Sequence, residues 1–199
     1  FEPQKQNCGP VAGAILENFP KEVEAATSIA YFLGGRLYNG SVRFDDEILL
    51  ADSLFFRTMG IEVLSGNPEN ELVQPDVIFL SDRLAQKIFG GENPIGKVLS
   101  YNKEIAFTVK GTYAALPENT TMRPEGVVSM PTAWSRSWGN YSWRGGDSYY
   151  EYIRFRPGAD KEIINARLDD MIQKYRPEED KKAYGYTAFV KHIRDVYRN

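Results

Sequence analysis

Residues Gly90 to Val98 read GGENPIGKV, and the way they fold decides the class of the whole chain. Gly91 to Lys97 spells G-x-x-x-x-G-K, the opening of a phosphate-binding loop. A working loop of that kind needs a strand before it and a helix after it, so that backbone N–H groups and the helix N-terminus face the anion together. Here the order is inverted. Ser81 is an N-cap residue, Leu84, Ala85, Ile88 and Phe89 share one helical face, and Gly90 is a natural stop. The glycines therefore follow a helix C-terminus, whose partial negative charge repels phosphate. Val98 stands where a Mg²⁺-holding hydroxyl is needed, and Pro94 removes one donor N–H from the supposed cradle. The stretch reads as a helix stop, a proline-set turn and the start of a hairpin. The stretch is not an ATP site, and its flanks argue against a nucleotide-binding enzyme.

Outward from that turn, the pattern alternates strands with short helices. Val77 to Leu80 is a compact apolar strand leading into the helix that Ser81 caps. On the other side, Val98 to Tyr101 and Ala106 to Tyr113 form a strand pair turned at Asn102-Lys103. Upstream, Pro10 suits a first helical turn, Val11, Ile15, Leu16 and Phe19 follow at helical spacing, and Pro20 ends the run. Val23 to Phe32 and Ser41 to Leu50 read as strands, separated by Gly34-Gly35 and by Asn39-Gly40, the strongest hairpin signal in the chain. Asp52 is expected to cap a short helix over 53–59 that Gly60 closes, and Ile61 to Leu64 a brief strand before a loop over 66–75. Leu116 to Arg123 is polar loop, and Val127 to Met130 is a strand. Asp160 caps the longest helix, with Ile164, Leu168, Met171, Ile172 and Tyr175 on one stripe, closed by Arg176-Pro177. Tyr149 to Phe155 before it and Tyr186 to Ile193 after it are strand-like. A chain ending strand–helix–strand favours a layered α+β or α/β domain.

Composition narrows the function classes. With 199 residues, 42% hydrophobic and 26% charged, the chain can bury a sizeable core in one domain or one domain with an insert. A net charge of −3 and no basic run interleaved with aromatics argue against nucleic acid. The longest apolar runs, such as Ile29 to Leu33, fall far short of the ~20 residues of a spanning helix. No signal peptide opens the chain, and a start at Phe1 instead of Met marks an expected processed or excised piece. One cysteine, Cys8, and one histidine, His192, about 180 residues apart, cannot supply a Ser–His–Asp, Cys–His or zinc constellation. No catalytic residue, cofactor or metal ligand is therefore assigned. Asp45-Asp46-Glu47 reads as a solvated turn, because three consecutive strand residues cannot point one way. Glu178-Glu179-Asp180 with Lys181-Lys182 reads as an exposed connection.

The aromatic segment from Trp134 to Tyr152 holds Trp134, Trp138, Tyr141, Trp143, Tyr149, Tyr150 and Tyr152, all three tryptophans among them. Three uses remain open for it. The rings pack a seam inside the domain, anchor a protein interface, or stack on a glycan or other small ligand. Trp134, Trp138, Tyr141 and Trp143 are the candidate partner contacts.

One ordered series goes further. Ala51-Asp52-Ser53-Leu54-Phe55-Phe56, Met59-Gly60-Ile61 and Leu64-Ser65-Gly66 are followed by Val77-Ile78-Phe79-Leu80-Ser81, Leu84-Ala85, Ile88-Phe89-Gly90 and Asn93-Pro94-Ile95-Gly96-Lys97. Phe107-Thr108-Val109-Lys110-Gly111 and Leu116-Pro117-Glu118-Asn119-Thr120 come next. The series resembles the MacB-like periplasmic core domain of FtsX-type permeases of ABC transporters. Pro20 to Ala26 resembles the start of that family's first strand, and Trp143 and Tyr149 to Phe155 its return strand, so the likeness runs from about Glu22 to Tyr197. The resemblance implies an α+β fold of porter-like strand–helix–strand units, 1–63 and 124–199, with a small inserted α/β subdomain over 64–123. It implies a place outside the bacterial cytoplasmic membrane, between the first and second transmembrane helices of a permease. It also implies a cytoplasmic ATPase domain or subunit, a second permease copy in a dimer, and a periplasmic adaptor or lipoprotein client. The family supplies no catalytic residue to carry over. Phe1 and Asn199 are expected near each other on the membrane-facing side. The alternative is a free-standing extracytoplasmic binding module that uses residues 134–152 for a glycan or protein partner.

Overall fold

The structure is a computed structural model that describes residues 9–31, 36–138, 141–143, 149–176 and 188–193. Cys8, the Gly34-Gly35 turn, the 178–182 charge run and both chain ends, with the expected proximity of Phe1 and Asn199, lie outside those residues. Among the described residues ten strands join one mixed sheet.

The centre of the sheet is β4 (Ile48–Ala51), β9 (Gly126–Ser129) and β6 (Val77–Ser81), with β4 parallel and β6 antiparallel to β9. These short strands are apolar at almost every position, the mark of a strand buried on both faces. The period of two sorts them. Leu50, Ile78, Leu80 and Val128 enter one core, under α4 (Asp82–Phe89) and α5 (Met130–Ser135). Leu49, Ala51, Val77, Phe79 and Val127 enter the other, with Phe55 and Phe56 of α2 (Phe55–Met59).

Beyond β6 the sheet continues through β8 (Ile105–Tyr113), β7 (Val98–Tyr101), β2 (Leu37–Asn39) and the edge strand β3 (Val42–Phe44), while β5 (Val63–Ser65) pairs with the far end of β8. Beyond β4 it ends in β1 (Val23–Tyr31) and β10 (Tyr150–Phe155). A third core lies at that end. There α1 (Val11–Asn18) and α6 (Lys161–Tyr175) pack on β1 through Val11, Ile15, Phe19, Val23, Ala26, Ile164, Leu168 and Ile172.

Several sequence expectations hold in detail. Ser81 Oγ accepts from Leu84 N at 2.9 Å, and Asp160 accepts from Glu162 N at 2.9 Å, so both helices begin where a cap predicts. The β2–β3 hairpin turns at Gly40 with φ 58°, and the β7–β8 hairpin turns through Asn102 and Lys103, both left-handed at 53° and 64°. Four expectations need correction. Ser41 to Leu50 is not one strand. It breaks at 45–47, so β3 and β4 lie far apart in the sheet. Asp52 does not cap a helix beginning at 53. Its carboxylate accepts from Leu54 N but also reaches across to β1, and the helix starts at Phe55. The loop expected over 66–75 holds a helical turn, and another follows β9. Pro68 and Pro131 each occupy the first turn of a short helix, α3 (Pro68–Glu71) and α5, where proline costs nothing. Finally, the described part of the last strand-like run, 188–193, forms no strand; Ala188 N and Val190 N donate instead to Asp169 and Asn165 on α6.

Candidate functional site

The glycine stretch is a closed turn. Its amides are spent on the chain itself: Ile95 N donates to Asn93 Oδ1 at 3.0 Å, Gly96 N to Val109 O at 2.8 Å and Lys97 N to Pro94 O at 3.1 Å. Lys97 Nζ pairs with Glu92 rather than standing free over an anion. The acidic run 45–47 also disperses. Asp45 pairs with Arg36 and Arg43, whereas Asp46 meets Lys87 at 2.7 Å.

The aromatic candidates separate into three places. Trp134, at the end of α5, lies with its ring centroid 4.2 Å from that of Tyr141. They remain 37% and 45% exposed and line one side of a cavity of about 110 Å³. Trp138 lies apart from them, 5.9 Å from Tyr101 and under the Arg136 guanidinium. Trp143 stacks on Tyr175 of α6 at 4.9 Å and 9°, and Tyr175 accepts at its hydroxyl from Asn18 of α1. Trp143 is thus a seam residue joining the aromatic segment to the α1–α6 core. Tyr141 covers Gly9 so closely that a Cβ there would come within 2.4 Å of its ring.

The cavity floor is polar. Asp52, after β4, and Ser28, in the middle of β1, line it beside Gly13, Ala26 and Met130. Asp52 accepts from Thr27 Oγ1 at 2.8 Å, Ser28 N at 2.7 Å and Leu54 N at 3.0 Å. Burial pushes the Asp52 carboxyl above its ordinary range in spite of these three donors. Ser28 stands directly opposite Glu151 in the antiparallel β1–β10 register. Their side chains meet at 2.7 Å. Glu151 is held well above the ordinary carboxylate range, first by burial and further by the nearby Asp52 charge. The cavity is thus lined by aromatic and apolar groups together with the Asp52 carboxyl and the Ser28 hydroxyl, behind which lies Glu151.

Sequence reasoning passed over Ser28 and Glu151. Each is a polar residue in a strand, but so are Glu24, Thr27 and Arg154, so the local pattern does not single them out. What brings them together is the pairing of strands separated by more than a hundred residues, which no local pattern carries.

Residues 8–171 match the model of the MacB-like periplasmic core domain. The chain belongs to this family. Among solved structures, a domain of a putative permease protein from Porphyromonas gingivalis is similar at 27% identity, with a TM-score of 0.74 over 88% of this chain and 81% of that one. The periplasmic region of MacB from Actinobacillus actinomycetemcomitans shares the fold at 16% identity and TM-score 0.64, covering 89% and 82% of the two chains. So does the extracellular domain of the noncanonic ABC-type transporter YknZ from Gram-positive bacteria, at 13% identity and TM-score 0.61 over 87% and 88%. No curated protein matches the chain. This MacB-like domain holds no helix, among its described residues, long and apolar enough to cross a membrane.

Proposed function

We propose that this MacB-like domain is the extracytoplasmic part of an ABC transporter permease in the bacterial cytoplasmic membrane. It couples ATP-driven motion of its own transmembrane helices to a periplasmic client, without catalysis of its own. Family membership over 8–171 supports this reading. In it, ATP is hydrolysed by a cytoplasmic domain or subunit, two permease copies work as a dimer, and an adaptor or lipoprotein client meets the distal face. Residues 64–123 form the inserted subdomain and 1–63 with 124–199 the porter-like part. Doubly buried strands across the middle of the sheet make the domain suited to moving as a rigid body between two packings, which is how such coupling works. The test uses the full permease with its ATPase in membranes. Spin labels on exposed residues of the two copies, such as Val42, are expected to change separation on ATP addition. The change is expected to vanish when the ATPase cannot hydrolyse. An unchanged distance distribution with active ATPase overturns the coupling.

A binding-module reading rests on the half-exposed Trp134–Tyr141 pair beside the cavity. Binding to a glycan array by the isolated domain, lost on Trp134→Ala, would establish it in place of the first.

A further inference from the structure

Ser28 Oγ lies 3.1 Å from the Gly9 carbonyl and 2.7 Å from Glu151 Oε2. A hydroxyl has one hydrogen, and both neighbours are acceptors if Glu151 is ionised. One of the two contacts would then hold facing lone pairs with no proton between them. A protonated Glu151 removes the conflict. Its O–H donates to Ser28 Oγ, and Ser28 O–H donates to Gly9 O, so each contact carries one proton.

The surroundings agree. Although Glu151 is partly exposed as a residue, its Oε1 is sealed and has no partner of good geometry. From α1 the Ala12 N–H turns toward the carboxyl and, like the Ser28 hydroxyl, favours its ionised form, but burial outweighs both. From the turn after β4 comes Asp52, itself acidic; from the 141–143 segment and from the position just before β10 come the phenols of Tyr141 and Tyr149. Among the described residues, the arginines of β10 and α2 are engaged elsewhere. Arg154 of β10 pairs with Glu24, and Arg57 of α2 pairs with Glu69. With no cation against it among the described residues, an ionised carboxylate buried beside another is costly, and the group takes up a proton instead.

We propose that Glu151 carries a proton in the folded domain, and that this proton latches the chain leading into α1 onto the β1–β10 edge through Ser28 and Gly9. Loss of the proton frees the Gly9 carbonyl and sets two carboxylates against each other beneath Tyr141, so the latch tightens in acid and loosens as pH rises. The protonation stands on the site alone. Its use, as a pH-dependent grip on the segment that would connect to a membrane helix, rests on the reading given above.

The sign follows from linkage. A raised carboxyl binds its proton more tightly in the folded state. Its stabilising contribution is full below the ordinary value of 4.5 and is lost as pH rises through the raised one. Glu151→Gln, which keeps a donor toward Ser28 and cannot ionise, is expected to melt with the wild type near pH 4.5. By pH 8 it is expected to melt higher by ~3 °C or more. Hydrogen exchange in the peptide spanning 9–16 is expected to be faster in the wild type than in Glu151→Gln at pH 8, and equal in acid. Independently of any variant's folding, carboxyl-¹³C NMR of the isolated wild-type domain is expected to show one glutamate titrating well above the rest. A melting gap that does not change with pH, or glutamates that all titrate near ~4.3, overturns the proposal. Neither result bears on membrane attachment, so the latch and the permease reading fail separately.

Discussion

Glu125 and Glu151 are both glutamates sunk beside the same sheet, and the fold answers them in opposite ways. Glu125, 9% exposed, precedes β9. Its carboxylate takes the Ser81 hydroxyl on one oxygen and the Arg83 guanidinium on the other. Its backbone is equally engaged: Ser81 N donates to its carbonyl, and its N–H reaches Glu47 O, each at 2.8 Å. Glu151, on the edge strand β10, meets Ser28, whose hydroxyl is also shared with Gly9, and the nearest charge is Asp52. At the first site a hydroxyl and a half-solvated cation share the buried charge; at the second a proton removes it. The centre of the sheet is thus tied by a hydroxyl and an ion pair, and its β1–β10 edge by a titratable chain.

The contrast can be broken most severely at Glu125. Glu125→Ala strips two charge-assisted hydrogen bonds from three joined elements and is expected to lower stability by ~2–3 kcal/mol, read by urea unfolding at pH 7. The pH dependence assigned to Glu151, on the far edge of the sheet, should survive in this variant. Ser28→Ala is the next largest. It removes the shared hydroxyl and leaves Gly9 O without it, for a loss of ~1–2 kcal/mol. That loss should be larger at pH 5 than at pH 8, since the chain it breaks is complete only in acid; an equal loss at both would erase the difference between the two sites. The smallest effect belongs to Arg83→Gln. The arginine side chain is 47% exposed, and a half-solvated ion pair is weak. A fall of ~2 °C or less in the melting temperature is expected, shrinking further in high salt. A large fall would mean that the cation, and not the hydroxyl, is what tolerates Glu125.

Both ends of the comparison were unequally visible from the sequence. Ser81 was legible as a cap because capping acts over three residues, and Leu84 N does find its oxygen. That the same hydroxyl serves Glu125, forty-four positions later, was not. The aromatic segment was legible as a cluster, but not as three separate contacts, because each ring is claimed by a different element: Tyr141 for Trp134, Tyr101 for Trp138 and Tyr175 for Trp143. Asp52 was misread for a related reason. Its local neighbour Leu54 supports a capping role, yet two of its three donors, Thr27 and Ser28, come from β1. Where short-range and long-range partners compete for one side chain, only the short-range one leaves a mark in the local pattern.

By itself the sequence determined the turn at GGENPIGKV, the capped helices on either side of the sheet's centre, the left-handed hairpin turns at Gly40 and at Asn102-Lys103, and an ordered series of residues specific enough to name the family. All of these follow from interactions within a few residues: caps, glycine conformations, apolar periodicity. The order β10-β1-β4-β9-β6-β8-β7-β2-β3, the separation of β3 from β4, and the meeting of Ser28, Asp52 and Glu151 were decided only by the tertiary structure. Strand pairing at long separation depends on which buried faces fit together, and a buried carboxyl takes its protonation from neighbours that the chain brings to it last.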